Sequence, residues 1–133
     1  MNWLFIIVSV VVVWLAIYLV NALLTSFLAK RRAQVVGAED FASQFAEQKG
    51  QMIDVRESES YKRSHIMGAR NIPVLNFSQG KSGLRTDRPV FIYGDGVRGA
   101  SRVAGILKKQ GFKRNQLYIL KGGFAQFSGR KTK

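Results

Sequence analysis

The first thirty residues decide how much of this chain is left to fold as a soluble domain. From Trp3 to Ala29 there is no charged side chain, and the only clearly polar residues are Ser9, Asn21, Thr25 and Ser26. At about 1.5 Å per residue, a helix of this length crosses a hydrocarbon core of about 30 Å with some tilt. It is too long and too apolar for an amphipathic surface helix. A cleaved signal peptide fits poorly, because Met1-Asn2 supplies no basic n-region and no convincing small-x-small site follows. Residues 1–29 are expected to form one uncleaved transmembrane helix. Lys30-Arg31-Arg32 follows directly, and basic residues stay on the cytoplasmic side, so the N-terminus is expected outside the cell membrane and the remainder in the cytoplasm.

All of the charge then falls on the part from Lys30 onward. Twenty-one Lys and Arg against eight Asp and Glu leave a net charge of +13, which draws such a domain to anionic lipid, nucleic acid or an acidic protein face. Nucleic acid is the weakest of these partners, for there is no aromatic platform with interleaved arginines. Lys30, Arg31, Arg32 and the run Arg130, Lys131, Lys133 are explained as membrane-proximal charge. The absence of cysteine excludes a disulfide, a thiolate metal site or a persulfide carried by this chain, and a single histidine, His65, excludes a histidine-rich metal cluster. No cofactor or metal is expected.

The order of elements points to an α/β domain. Residues 30–34 read as a short basic tether and Gln34–Val36 as an edge strand. Ala38–Lys49 reads as a helix with Phe41, Ala42, Phe45 and Ala46 on one stripe and Glu39-Asp40 in its first turn, stopped by Gly50. Gln51–Val55 is the next strand and Ser58–Arg63 a short helix capped by Ser58. His65–Ala69 makes a compact turn, Pro73 confines Arg70–Ile72 to an edge, and Asn76–Arg88 is a glycine-spaced loop with Leu84 as its only anchor. Val90–Tyr93 is a buried strand, Gly94–Gly99 a tight turn and Ala100–Gln110 an amphipathic helix stopped by Gly111. Leu117–Leu120 is the last strand, Phe124–Phe127 a short apolar cap, and 128–133 a basic, disordered tail. Alternating strands and helices favour a mostly parallel sheet with helices on both faces, in one soluble domain over 35–127.

Three stretches of this domain resemble the signatures of rhodanese-like domains. Ile53-Asp54-Val55-Arg56-Glu57, with Glu59, Tyr61, His65-Ile66, Gly68-Ala69 and Asn71-Ile72-Pro73, is similar to the first; Asp87–Tyr93 to the lead-in strand; and Leu120-Lys121-Gly122-Gly123-Phe124-Ala125 to the closing one. The resemblance implies a small α/β sandwich and sulfur transfer by a cysteine placed right after the lead-in strand. That position is Gly94 here. Gly99 and Ala100 fall where active members commonly carry arginine and serine, and Ser64, Met67 and Phe127 replace residues that pack rather than react.

Covalent sulfur transfer needs a polarisable nucleophile that can later leave, which glycine cannot supply and the alkoxide of Ser101 does not replace. What remains is a strand-to-helix loop whose amides point into one concavity at the positive end of a helix dipole. Gly94, Asp95, Gly96, Val97, Arg98, Gly99, Ala100 and Arg102 are the candidate anion- or partner-binding residues, with Asp95 opposing the charge of any anion. His65 is expected to serve a structural turn rather than act as a base, and Asp54, Arg56 and Glu57 to form a strand-end network. The expected function is a catalytically inactive, membrane-anchored binding or regulatory module. The alternative is a component that positions a sulfur carrier whose cysteine lies on another chain.

Overall fold

A computed structural model describes residues 2–80 and 82–133. The chain begins with helix α1 (Trp3–Arg32), followed by β1 (Gln34–Val36), α2 (Ala38–Gln48), β2 (Gln51–Asp54) and α3 (Ser58–Arg63). Next come β3 (His65–Ile66), β4 (Ala69–Asn71), α4 (Val74–Phe77), β5 (Val90–Tyr93) and α5 (Val97–Lys109). Strand β6 (Leu117–Leu120) and β7 (Lys131–Thr132) complete the order, with 3-10 turns at Arg114–Gln116 and Phe124–Gln126.

The main sheet has five strands in the order β1-β6-β5-β2-β4, and every pairing in it is parallel. All four residues of β5 are buried. A central parallel strand is covered on both faces, so it needs the continuous apolar run that Val90-Phe91-Ile92-Tyr93 supplies rather than an alternating pattern. One face carries Ala100, Val103, Ala104 and Leu107 of α5 with Phe77 of α4, and the other carries Phe41 of α2 with Phe127. The two faces together make the α/β sandwich expected from the sequence.

Helix α1 has exposed apolar side chains along most of its length, from Trp3 to Phe27, and is long and apolar enough to span a membrane. Its last turn behaves differently. Ala29 and Ala33 are buried against the α5 face. Arg114 Nε donates to the Lys30 carbonyl at 2.8 Å, satisfying an end carbonyl of the helix. The expected tether at 30–34 is thus corrected: Lys30, Arg31 and Arg32 are helical, Gln34 opens β1, and the helix passes into the domain with no loose linker.

Several smaller expectations are corrected in the same way. Helix α5 begins three residues earlier than the glycines suggested, at Val97. The cap of α3 is Glu57, with no side-chain hydrogen bond, so Ser58 lies inside the helix. Asn76 and Phe77 belong to α4, and the buried Phe77 is a stronger anchor than the half-buried Leu84. The compact turn at His65–Ala69 holds β3, and the tail expected to be disordered supplies its partner: β3 and β7 pair antiparallel. Lys131 also places its ammonium 4.5 Å from the centre of the Phe124 ring.

Candidate functional site

The order of strands fixes where a site can form. After β2 the chain moves outward to β4, whereas after β5 it moves the opposite way to β6. Connections that diverge from two neighbouring parallel strands leave a crevice at their carboxyl ends. The residues there are Val55 and Arg56 after β2, and Gly94, Asp95 and Gly96 after β5.

A cleft of about 420 Å³ opens at this point, and Gly94, Asp95, Gly96, Arg98, Gly99 and Arg102 all line it. Of the other two expected residues, Ala100 is fully buried, and Val97 packs its side chain on the core while its amide stands in the first turn of α5. The cleft's far wall is Val74 and Leu75 of α4, residues that sequence reasoning left out. Leu75 stays 68% exposed, and Pro73 immediately before α4 was the available signal that a new turn of chain begins there.

Only Gly94–Gly96 are loop; Val97, Arg98 and Gly99 form the first turn of α5. The N-cap is Gly96, which makes no side-chain cap bond. First-turn amides have no i−4 acceptor within the helix, so these are directed at the cleft end of the helix without a capping side chain competing for them. The loop itself is held from behind. Phe124 N donates to the Gly94 carbonyl at 2.8 Å. Gly123, at φ +76°, lies so close beneath that a Cβ there would collide with the carbonyls of Asp95 and Gly94.

Position 94 admits a side chain only if Val55 gives by a few tenths of an ångström. A Cβ added there would stand 3.2 Å from Val55 Cγ2, and Gly99 has ordinary contact distances to Val74 and Val55. Glycine at these sites is not demanded by backbone conformation, since neither has a positive φ.

Beneath the cleft lies a buried ionic network. Arg56 pairs with the fully buried Asp54 (Arg56 Nη2 to Asp54 Oδ2, 2.7 Å), and Nη2 donates also to the Ser64 carbonyl at 2.7 Å. Its guanidinium carbon lies 3.9 Å from the centre of the Phe124 ring. Burial works against the Arg56 charge, but the hydrogen bonds and field of Asp54 outweigh it and hold its pKa above the ordinary value. The Tyr93 hydroxyl accepts from Ile66 N at 3.0 Å, and burial pushes its pKa up. His65 is stacked on Tyr61 at 3.7 Å, with Nδ1 2.9 Å from the Tyr61 carbonyl. That places it away from the cleft, as a turn residue.

The charge lining the cleft is mixed. Arg98 and Arg102 are opposed by Asp95 and Glu57, while Arg56 is already neutralised by Asp54. No lining residue is Cys, Ser, Thr or His. Such a cleft can hold a small anion or a peptide edge, and among the described residues its lining offers no thiol of the kind that covalent sulfur transfer uses.

Comparison with known proteins bears on this geometry. The family model described as "Rhodanese-like domain" matches residues 37–130. The uncharacterized protein YqhL of Bacillus subtilis is 33% identical over 121 residues, which cover 91% of this chain and 93% of YqhL. "Putative sulfur carrier protein YrkF" of the same organism is 33% identical over 63 residues, covering 47% of this chain and 34% of YrkF. Among solved structures, the rhodanese-like domain of the Anabaena protein Alr3790 superimposes with a TM-score of 0.63 at 28% identity, over 73% of this chain and 76% of that one.

Proposed function

The chain belongs to the family of rhodanese-like domains, and from that premise we propose that it has given up sulfur transfer and serves as a membrane-anchored binding module. The observation that carries this reading is the lining of the cleft at the ends of β2 and β5, which among the described residues contains no thiol to take up a sulfane sulfur. The chain as a whole has no cysteine. A persulfide intermediate requires a sulfur atom on the enzyme, and nothing in the cleft substitutes for it. The one serine near by, Ser101, is buried with its hydroxyl accepting from Arg32, on the other side of α5.

Helix α1 anchors the module in the cell membrane, with the basic turn Lys30–Arg32 and the domain on the cytoplasmic side. The loop cleft takes a small anion or the edge of a partner protein, using the first-turn amides of α5 with Arg98 and Arg102. The second reading, favoured by the match to a protein named as a sulfur carrier, is that the cleft receives a persulfide borne by another chain.

The detergent-solubilised full chain tests the central claim. Thiosulfate and cyanide are expected to give thiocyanate no faster than buffer alone; turnover abolished by substitution in the loop would refute it. Titrating sulfate or phosphate is expected to shift the amide resonances of Gly94–Gly99, and unchanged resonances at millimolar anion would remove the anion from the proposal. Protease added to sealed right-side-out vesicles is expected to spare Lys133, and cleavage there would reverse the orientation. Co-purification of a cysteine-bearing sulfur-transfer protein would favour the second reading over the first.

A further inference from the structure

Helix α5 borders a second and larger cleft on its other side, about 680 Å³, formed with the end of α1. Five cationic side chains line it: Arg32 from α1, and Arg98, Arg102, Lys108 and Lys109 from α5. No carboxylate lines it. Among the described residues, none of the five has a salt-bridge partner within 4.0 Å. Like charges gathered in one concavity raise a strong positive potential that an anionic ligand would offset.

One of the five is held in place. Arg32 Nη1 donates to the Ser101 carbonyl at 3.4 Å and to Ser101 Oγ at 3.3 Å. The side chain lies flat on α5 at Gly105, where a Cβ would stand 3.2 Å from Arg32 Nε. A guanidinium has five N–H donors, so the contacts to Ser101 leave several free to face the cleft.

The position of the cleft names the source of the anion. Thr25 and Leu28 of α1 form its wall. Counting from Trp3, roughly 20 helical residues cross the hydrocarbon core, which puts Thr25–Leu28 at head-group depth. The apolar surface of α1 therefore runs into the cleft through Leu28, with Ile106 opposite. A free phosphate would use only the cations; a glycerophospholipid would use the cations and the apolar wall together.

We propose that the cleft between α1 and α5 binds the phosphate-bearing head group of an anionic phospholipid, with Arg32 and Arg102 on the phosphate and Leu28 against the start of the acyl chains. This rests on α1 crossing a bilayer. Bound lipid would hold the α5 side of the domain against the head groups, adding to the docking of α1 on α5.

The full chain in detergent, titrated with short-chain phosphatidylglycerol and with phosphatidylcholine of the same chain length under native mass spectrometry, tests the proposal. Phosphatidylglycerol is expected to bind roughly tenfold more tightly, and equal binding would overturn the site. The double variant Arg102→Gln, Lys109→Gln removes two exposed cations and is expected to abolish that preference. Lys62→Gln, on α3, is expected to retain it. Preference surviving the double variant, or lost equally in Lys62→Gln, would reduce the effect to general surface charge and overturn the assignment. Competition by inorganic phosphate or glycerol 3-phosphate at the concentration of the lipid would make the ligand a free anion, overturning the lipid source. Release of the chain from phosphatidylcholine vesicles by alkaline carbonate would overturn the transmembrane reading instead.

Discussion

The two clefts flanking α5 share Arg98 and Arg102 yet are built on opposite principles. The loop cleft at Gly94 is fixed from within: the Asp54–Arg56 pair, the Phe124 amide on the Gly94 carbonyl and the close approach of Gly123 all lie beneath it. It is mixed in charge, and among the described residues no thiol lines it. The interhelical cleft forms where the end of α1 packs along α5, with Arg32 half-buried on Ser101 and Ala29 and Ala33 buried, and its other four cations, Arg98, Arg102, Lys108 and Lys109, are exposed. The first sits where the family's cysteine would stand and has Gly94 there, whereas the second lies away from that position. Substitutions beneath the first should therefore cost stability, and substitutions lining the second should change binding alone.

The sharpest test of that contrast is Arg56→Met. It leaves the fully buried carboxylate of Asp54 without its partner, and removing one member of a buried pair costs about 3–5 kcal/mol; thermal unfolding of the detergent-solubilised chain reads the loss. Gly123→Ala comes next, at about 2–3 kcal/mol, because a Cβ meets two carbonyls at a positive φ. Amide exchange at Asp95 and Gly96 should accelerate in that variant, and unchanged exchange would show that the loop does not depend on the closing turn.

Tyr93→Phe is expected to cost about 1–3 kcal/mol at neutral pH, by leaving Ile66 N–H unpaired in the core. It also carries a pH signature. Burial raises the folded-state pKa of this phenol, so the unfolded chain gives up its proton first. Stability tied to the neutral phenol is full below about pH 10 and is lost as pH rises from there toward the folded value. The Phe variant should lose that part of the alkaline slope, and an unchanged slope would place its origin elsewhere.

Smaller again is Gly94→Cys. The Cβ needs Val55 to give by a few tenths of an ångström, and a thiol beside the first turn of α5 should alkylate at pH 7 several-fold faster than a free thiol of pKa about 8.5. A rate no greater than that of the free thiol would mean the loop no longer tunes charge. Lys109→Gln closes the series: it lines the interhelical cleft and not the loop cleft, and as an exposed change it should alter stability by less than about 0.5 kcal/mol. A larger loss would erase the distinction between the two clefts.

Parts of this architecture were legible in the sequence because they depend on local pattern. The unbroken apolar run at Val90–Tyr93, short and bounded by Pro89 and Gly94, fits a strand covered on both faces, and the three ordered signatures locate Gly94 at its end. Asn76–Phe77 was misread because the turn of helix there is too short for periodicity, and its anchor, Phe77, is identified only by what packs on it. The tail shows the same limit: Lys131–Thr132 carries no strand pattern and is ordered by β3, more than sixty residues earlier.

What the sequence determined by itself was that this chain carries no cysteine persulfide, since folding rearranges side chains and does not create a thiol. Only the tertiary structure decided where the charge goes. Lys30–Arg32 looked like a tether because three cations after an apolar run carry no sign of a packing partner. Small alanines on the adjoining face let that turn dock against α5, and the docking brings Arg32 and Arg102 into the lining of one cleft that neither helix possesses alone.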